Sequence, residues 1–326
     1  MVRKGYQGYL AEGINELWLK GQWGQHELRS RELLQGQSRN VPIFVTGTGT
    51  DVGKTYVTAV LCKYLQEKQQ LLQGGAVGFY KAAISGAESL AQSDAGYIKR
   101  NAGLSQADET LTSYLFQEAV SPHLAAQHLG QKIDLRQVIS DLLRVFAAYN
   151  QLVIEGSGGI FCPLCWDLQH CPHTARDTVA VLAGEQGAGQ AGQARQSKQP
   201  AESDSALLER LAAFSQPQAE CATILDLIRA LHDSVLGVRV VVVADAGLGV
   251  INNVATTVQT LQLHRIKPQC MSVILNRYQA DDLMHQDNLR MIESITHVPV
   301  IATIASDSST LSFTSEAEAR LQCLWS

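Results

Sequence analysis

The sequence predicts an α/β fold, with a mostly parallel sheet, helices on both faces and a phosphate-binding loop near one end. Three observations carry that expectation. "VTGTGTDVGKT", Val45 to Thr55, joins an apolar run to a helical one. Apolar runs ending on a polar residue recur, as in "LVIEG", "VVVVADAG" and "VILN". Stretches of helical period separate them, and strands alternating with helices imply parallel pairing.

The elements follow in order. "VPIFVTG" reads as a buried strand and "GKTYVTAVLCKYLQEKQ" as a helix. "GAVGFYKAA" is a second strand, residues 89 to 101 a helix, and "KIDLRQVISDLLRVFAAY" a longer amphipathic helix. "QLVIEG" is a strand closing on an acid, and "VRVVVVADAG" is apolar enough to be buried on both faces. "INNVATTVQTLQLH", "QCMSVILN", "ADDLMHQDNLRMIESI" and "VPVIATI" continue the alternation. Residues 1–40 are polar and Gln-rich and read as an appended helix or tail. A domain is expected over 41–305, with a C-terminal tail over 306–326. Residues 166–221 interrupt that domain as an insertion. Within it, residues 184–205 lack periodicity and apolar content and read as a disordered linker.

Composition narrows the function. The 326 residues are 45% hydrophobic and 17% charged, enough for a sizeable core. The net charge of −5 offers no electrostatic case for nucleic acid. No run reaches the roughly 20 apolar residues of a membrane span. "MVRKGYQGYL" lacks an apolar signal core, and seven cysteines without framework spacing suit reduced thiols. A cytoplasmic protein is the expectation.

The chemistry begins at the loop. Five residues separate Gly47 from Gly53, one more than the common motif. Backbone N–H groups from Gly49 to Gly53 and the helix start would face phosphates. Lys54 supplies charge, and the Thr55 hydroxyl suits Mg²⁺. Lys81, with Ser85 following, sits at a strand's C-terminal end, where open parallel sheets bind ligands. It would hold anionic charge there, although a lysine at a strand end is also an ordinary solvated residue. Glu155, before Gly156 in a glycine-rich turn, is placed to hold Mg²⁺. Asp94 suits the same ion, and equally an ordinary helix cap.

In this order, "TGTGTDVGKT", "YKAAISG", "SDA", "SPH", "VIEGSGG", "ADAGLGVIN" and "ILNRY" resemble the dethiobiotin synthetase family of P-loop NTPases. The resemblance covers residues 41 to 165 and 222 to 304. It implies ATP-dependent closure of a cyclic urea from 7,8-diaminopelargonate and CO₂, through a carbamate and a carbamic-phosphoric anhydride. It implies Lys54 and Lys81 as catalytic residues and Thr55, Asp94 and Glu155 around Mg²⁺. ATP would meet Gly49, Thr50, Asp51, Val52, Gly53, Lys54, Thr55, Glu155, Gly156 and, at the base, Asn276. The second substrate would meet Thr50, Lys81 and Ser85. Its carboxylate would meet Gly249, Val250 and Asn252 from the other subunit of a homodimer.

Departures from that family are visible. Ala82 stands where proline is usual, Gly49 replaces a frequent acid, and Asp51 stands where glutamate is common. After "EGSGG" come Cys162, Cys165, His170, Cys171 and His173, which fit either a zinc site of unfamiliar spacing or small loop residues. His123 fits either a substrate contact or a helix start. A cobyrinate-type amide ligase would need a glutaminase partner. A partition-type ATPase switch would need a second lysine in the loop, and Thr50, Asp51 and Val52 supply none.

Overall fold

A computed structural model describes residues 40–71, 75–166, 221–234, 236–306 and 308–314. Eight strands form one sheet in the order β10-β9-β8-β7-β1-β4-β2-β3. The central strands are β1 (Ile43–Gly47), β4 (Gln151–Gly159), β2 (Val77–Ser85) and β7 (Arg239–Asp245). β3 (Thr112–Phe116) closes one edge, and β8 (Met271–Asn276) and β9 (Val300–Thr303) lead to the other. All these pairs are parallel. The last strand, β10 (Ser312–Phe313), runs antiparallel to β9.

Helices cover both faces because the strands bury both. Every residue of β1 and β8 is buried. On one face, α1 (Lys54–Leu71) and α2 (Asp94–Ala102) share a core around Phe79, Leu61 and Ile98. On the other, α4 (Leu135–Ala148), α5 (Ile224–His232) and α6 (Val250–Leu263) pack on Phe44, Tyr80 and Ile154. The short α3 (Pro122–His128) joins this second core through Ala125 and Ala126, and α7 (Leu283–Thr296) through Ile292. Phe44 and Phe79 are each 0% exposed, so each face has its own aromatic anchor.

Local chemistry sets the element ends. The helix expected over 89–101 starts only at Asp94. Ser93 is extended there, and its hydroxyl accepts from the Gly96 N–H, so the chain before it forms a separate 3₁₀ turn at Leu90–Gln92. α5 begins with a reciprocal cap between Thr223 and Asp226. Sequence reading did not identify β3 or α5, and α3 bears out the helix start, one of the two readings of His123.

Two boundaries differ from expectation. The sheet continues past residue 305 through β10, and Phe313 packs on Tyr64 of α1 at 4.8 Å between ring centroids. The break after "EGSGG" is also framed by structure. β5 (Pro163–Trp166) pairs antiparallel with β6 (Cys221–Thr223), with Trp166 opposite Cys221. Residues 166 and 221, on either side of the undescribed stretch, are therefore paired neighbours. Nearly all of the expected insertion, with the linker at 184–205, lies outside the described residues, as does the expected N-terminal extension up to residue 39.

Candidate active site

Parallel strands place their C-terminal ends on one side of the sheet. β1, β2 and β4 accordingly deliver the phosphate loop, Lys81 and Glu155 to one place. Lys81 lies opposite Glu155 in the β2–β4 register, and Val45 lies opposite Glu155 on the other side. The three motifs, more than 100 residues apart from first to last, meet for that reason.

The meeting point is an ion cluster. Lys81 Nζ donates to Asp94 Oδ2 at 2.5 Å and to Glu155 Oε1 at 2.7 Å. The Thr55 hydroxyl donates to the same Glu155 oxygen at 3.2 Å. Glu155 is 1% exposed, and its Oε2 is buried with no hydrogen-bond partner. Burial works against a charged Lys81, but Glu155 and Asp94 outweigh it and raise its pKa. Burial likewise opposes ionised Asp94, yet Lys81, the Thr55 hydroxyl and Lys54 hold its pKa below the ordinary value. Both groups are charged at neutral pH.

Lys54 behaves differently. Burial is the main cause lowering its pKa, and Lys81 adds to it, against Glu155 and Asp94. Its Nζ donates to the Gly49 carbonyl at 3.1 Å, inside its own loop. Two ammonium groups thus face one space, which favours an anionic ligand.

That space is an open cleft of about 1230 Å³. The loop residues Thr50, Asp51, Gly53, Lys54 and Thr55 line it, together with Lys81, Ser85 and Asp94. The Ser85 hydroxyl is already committed to the Val120 carbonyl at 2.5 Å, leaving its oxygen as an acceptor.

Several expected contacts fall elsewhere. Gly156 is buried, and a side chain there would meet Ile224 and Phe44, so it serves packing; Ser157 and Gly158 line the cleft instead. Asn276 is 4% exposed and does not line the cleft, because its Nδ2 donates to the Val52 carbonyl at 3.1 Å. Gly249, Val250 and Asn252 do not line the cleft of their own chain. Val250 is 2% exposed and its N–H is bonded to the Gly247 carbonyl at 3.2 Å. Cys162 lines the cleft, Cys165 is buried in β5, and His170, Cys171 and His173 lie outside the described residues. Among the described residues no group of three His, Cys, Asp or Glu is placed to hold a metal. His123 Nδ1 lies 3.0 Å from the Ser121 hydroxyl at the start of α3, and His123 is not among the cleft residues.

Sequence reading also passed over Tyr56, Ser157 and Arg277 as cleft residues. "ILNRY" held the signal for Arg277, at the end of a strand beside the loop.

Comparison with known proteins meets this geometry. The AAA domain family matches residues 42–168 and 169–311. The ATP-dependent dethiobiotin synthetase BioD of Brachyspira hyodysenteriae is 30% identical over 262 residues, covering 80% of this chain and 90% of that one. The chain belongs to the dethiobiotin synthetase family. The protein of the same name from Clostridium botulinum (strain Loch Maree) is 30% identical, covering 82% of this chain and 92% of that one. The chloroplast FtsY of Physcomitrella patens covers 97% of this chain and is covered to 81%, at 12% identity and a TM-score of 0.40, too weak a likeness to bear on function. Within the dethiobiotin synthetase family, this chain's ion cluster and cleft are the parts its motifs build.

Proposed function

We propose that the protein is an ATP-dependent dethiobiotin synthetase, a cytoplasmic cyclo-ligase that closes the ureido ring of dethiobiotin from 7,8-diaminopelargonate, CO₂ and ATP. The observation that carries this reading is Lys81, held between Asp94 and Glu155 in the cleft that Lys54 also lines. The chemistry needs that arrangement. One amine takes up CO₂ and loses a proton, giving a carbamate. A carbamate oxygen then displaces ADP from the γ-phosphorus of ATP. The second amine attacks the resulting anhydride, its proton leaves, and phosphate departs as the ring closes. The carbamate, the γ-phosphate and the mixed anhydride are all anionic, so the two ammonium groups oppose their charge.

Mg²⁺ fits the residues present. Thr55, Asp94 and Glu155 offer a hydroxyl and two carboxylates, the sparse oxygen set that this ion completes with phosphates and waters. The unpartnered Glu155 Oε2 is a ready ligand atom. When bound, the ion would neutralise phosphate charge. Lys81 would then hold both acids in place and present its remaining donor to the carbamate. Thr50 would face the second substrate from the loop, and Ser85 from β2.

The Gly249 turn supports a homodimer. Leu248, at its tip, is 91% exposed, and the turn stands apart from its own cleft. A second copy placing Gly249, Val250 and Asn252 at its partner's cleft would complete the diamine site.

The test is phosphate release with ATP, Mg²⁺ and bicarbonate, with and without 7,8-diaminopelargonate, and a cyclic urea sought by mass. Diamine-dependent turnover that disappears in Lys54→Ala and Lys81→Ala supports the reading. ATP binding without diamine-dependent turnover overturns it.

A further inference from the structure

The stretched phosphate loop contains a left-handed residue. Asp51 sits at φ 59, a conformation uncommon outside glycine that Asp tolerates better than most side chains. Its carbonyl is gripped from β8. Arg277 donates to the Asp51 oxygen through both terminal nitrogens, each at 3.2 Å. Arg277 is itself left-handed, at φ 54, and its guanidinium forms a salt bridge with Asp245 at the end of β7. Two left-handed residues thus meet across one forked contact. Neighbouring Asn276 holds the next carbonyl, Val52.

The guanidinium also lines the cleft. It is fixed by bonds on more than one side while about half of its side chain stays exposed. That placement separates it from a purely internal brace. A forked donor is what one carbonyl oxygen and a neighbouring carboxylate select, and lysine cannot reproduce it.

We propose that Arg277 is a positioning residue for ATP: it holds the stretched loop in its binding shape through the Asp51 carbonyl, oriented by Asp245. The inference rests on the nucleotide half of the function proposed above. Loop N–H groups bind phosphates only when the backbone is already turned towards them, so the clamp lowers the ordering cost of binding.

Equilibrium titration of ATP with Mg²⁺, without diamine, tests this in wild type, Arg277→Ala, Arg277→Lys and the double variant Asp51→Gly/Arg277→Ala. Arg277→Ala is expected to weaken ATP binding about ten- to hundredfold, the range of a lost charge-assisted hydrogen bond. Arg277→Lys should fall between. Glycine takes positive φ freely, so the double variant should recover part of the loss. The KM for the diamine should move less than the ATP affinity. The midpoint of thermal unfolding without nucleotide should stay within about 2 °C. Arg277→Ala binding ATP within about twofold of wild type overturns the inference alone. A parallel fall in diamine affinity and unfolding temperature makes Arg277 a structural brace and overturns it too. Wild type that fails to bind ATP overturns both this inference and the proposed function.

Discussion

The ion cluster beneath the phosphate loop and the clasp beside it are built on opposite principles. The cluster gathers the buried Lys81 and Glu155 with the half-buried Asp94, charges whose desolvation is offset mainly by one another. The clasp joins β5 to β6 with Leu164 and Ala222 almost wholly buried, and α5 adds Ile224, Leu225 and Ile228. The first fixes where charge sits. The second pairs Trp166 with Cys221, the described residues on either side of 167–220. A site whose charges are specified by mutual pairing depends on every member. An apolar clasp should lose stability in proportion to the area removed and leave the chemistry alone.

The sharpest break in that contrast is Lys81→Ala. It leaves Glu155, 0% exposed at its side chain, without its cation. Removing one partner of a buried pair costs about 3–5 kcal/mol, and the same change should lower turnover by about 10²–10³. Denaturant melts of the nucleotide-free protein read the first and phosphate release the second. Adding Glu155→Gln should restore much of the stability and none of the activity. If stability is unchanged in Lys81→Ala, the cluster is not a mutually dependent unit.

Leu164→Ala probes the other side. Leu164 is 0% exposed, and truncating a buried leucine costs about 2–5 kcal/mol. The unfolding temperature should fall by roughly 5–15 °C while the folded protein keeps its ATP affinity. A parallel loss of ATP affinity would make clasp and cleft one unit.

These two regions were also unequally legible. The loop, Lys81 and Glu155 are each announced by residues within one short stretch, and parallel register brings them together without further information. The clasp is not announced locally. "PLCW" and "CAT" are short, and neither has a period to read. Their pairing depends on contact across residues 167–220. Asn276 shows a different limit. Its residue type suits a base edge, and only the fold reveals that Val52 has taken its donor. Composition could not show that Gly156 meets Ile224, because that neighbour comes from beyond the insertion.

Gly53→Ala is a smaller, local perturbation on the cluster's side. Gly53 has φ 85, and a β-carbon there would stand 2.1 Å from Asn276 Nδ2. Strain of this kind costs about 1–3 kcal/mol, so ATP should bind about ten- to hundredfold more weakly while the apolar cores stay intact. Calorimetric titration with ATP measures it. Unchanged affinity would mean that Asn276 yields without cost and does not hold the loop.

The smallest expected effect separates the two regions by pH. His264 caps the end of α6, and its Nδ1 lies 3.4 Å from Arg229 of α5. Burial, and then the Arg229 charge, lower its pKa from 6.5, with Asp226 opposing them. The folded protein therefore holds that proton less tightly than the unfolded chain. Above the unfolded value both states are neutral there and stability is flat. As pH falls through it towards the folded value, the unfolded chain gains the proton first and stability drops. Asp94 and Lys81 should contribute nothing in the same window, because the first titrates lower and the second higher. Between about pH 7.5 and about pH 5.5, which bracket an ordinary histidine, wild type should lose slightly more unfolding temperature than His264→Gln. Equal losses in the two proteins would place the pH sensitivity outside the α5–α6 contact.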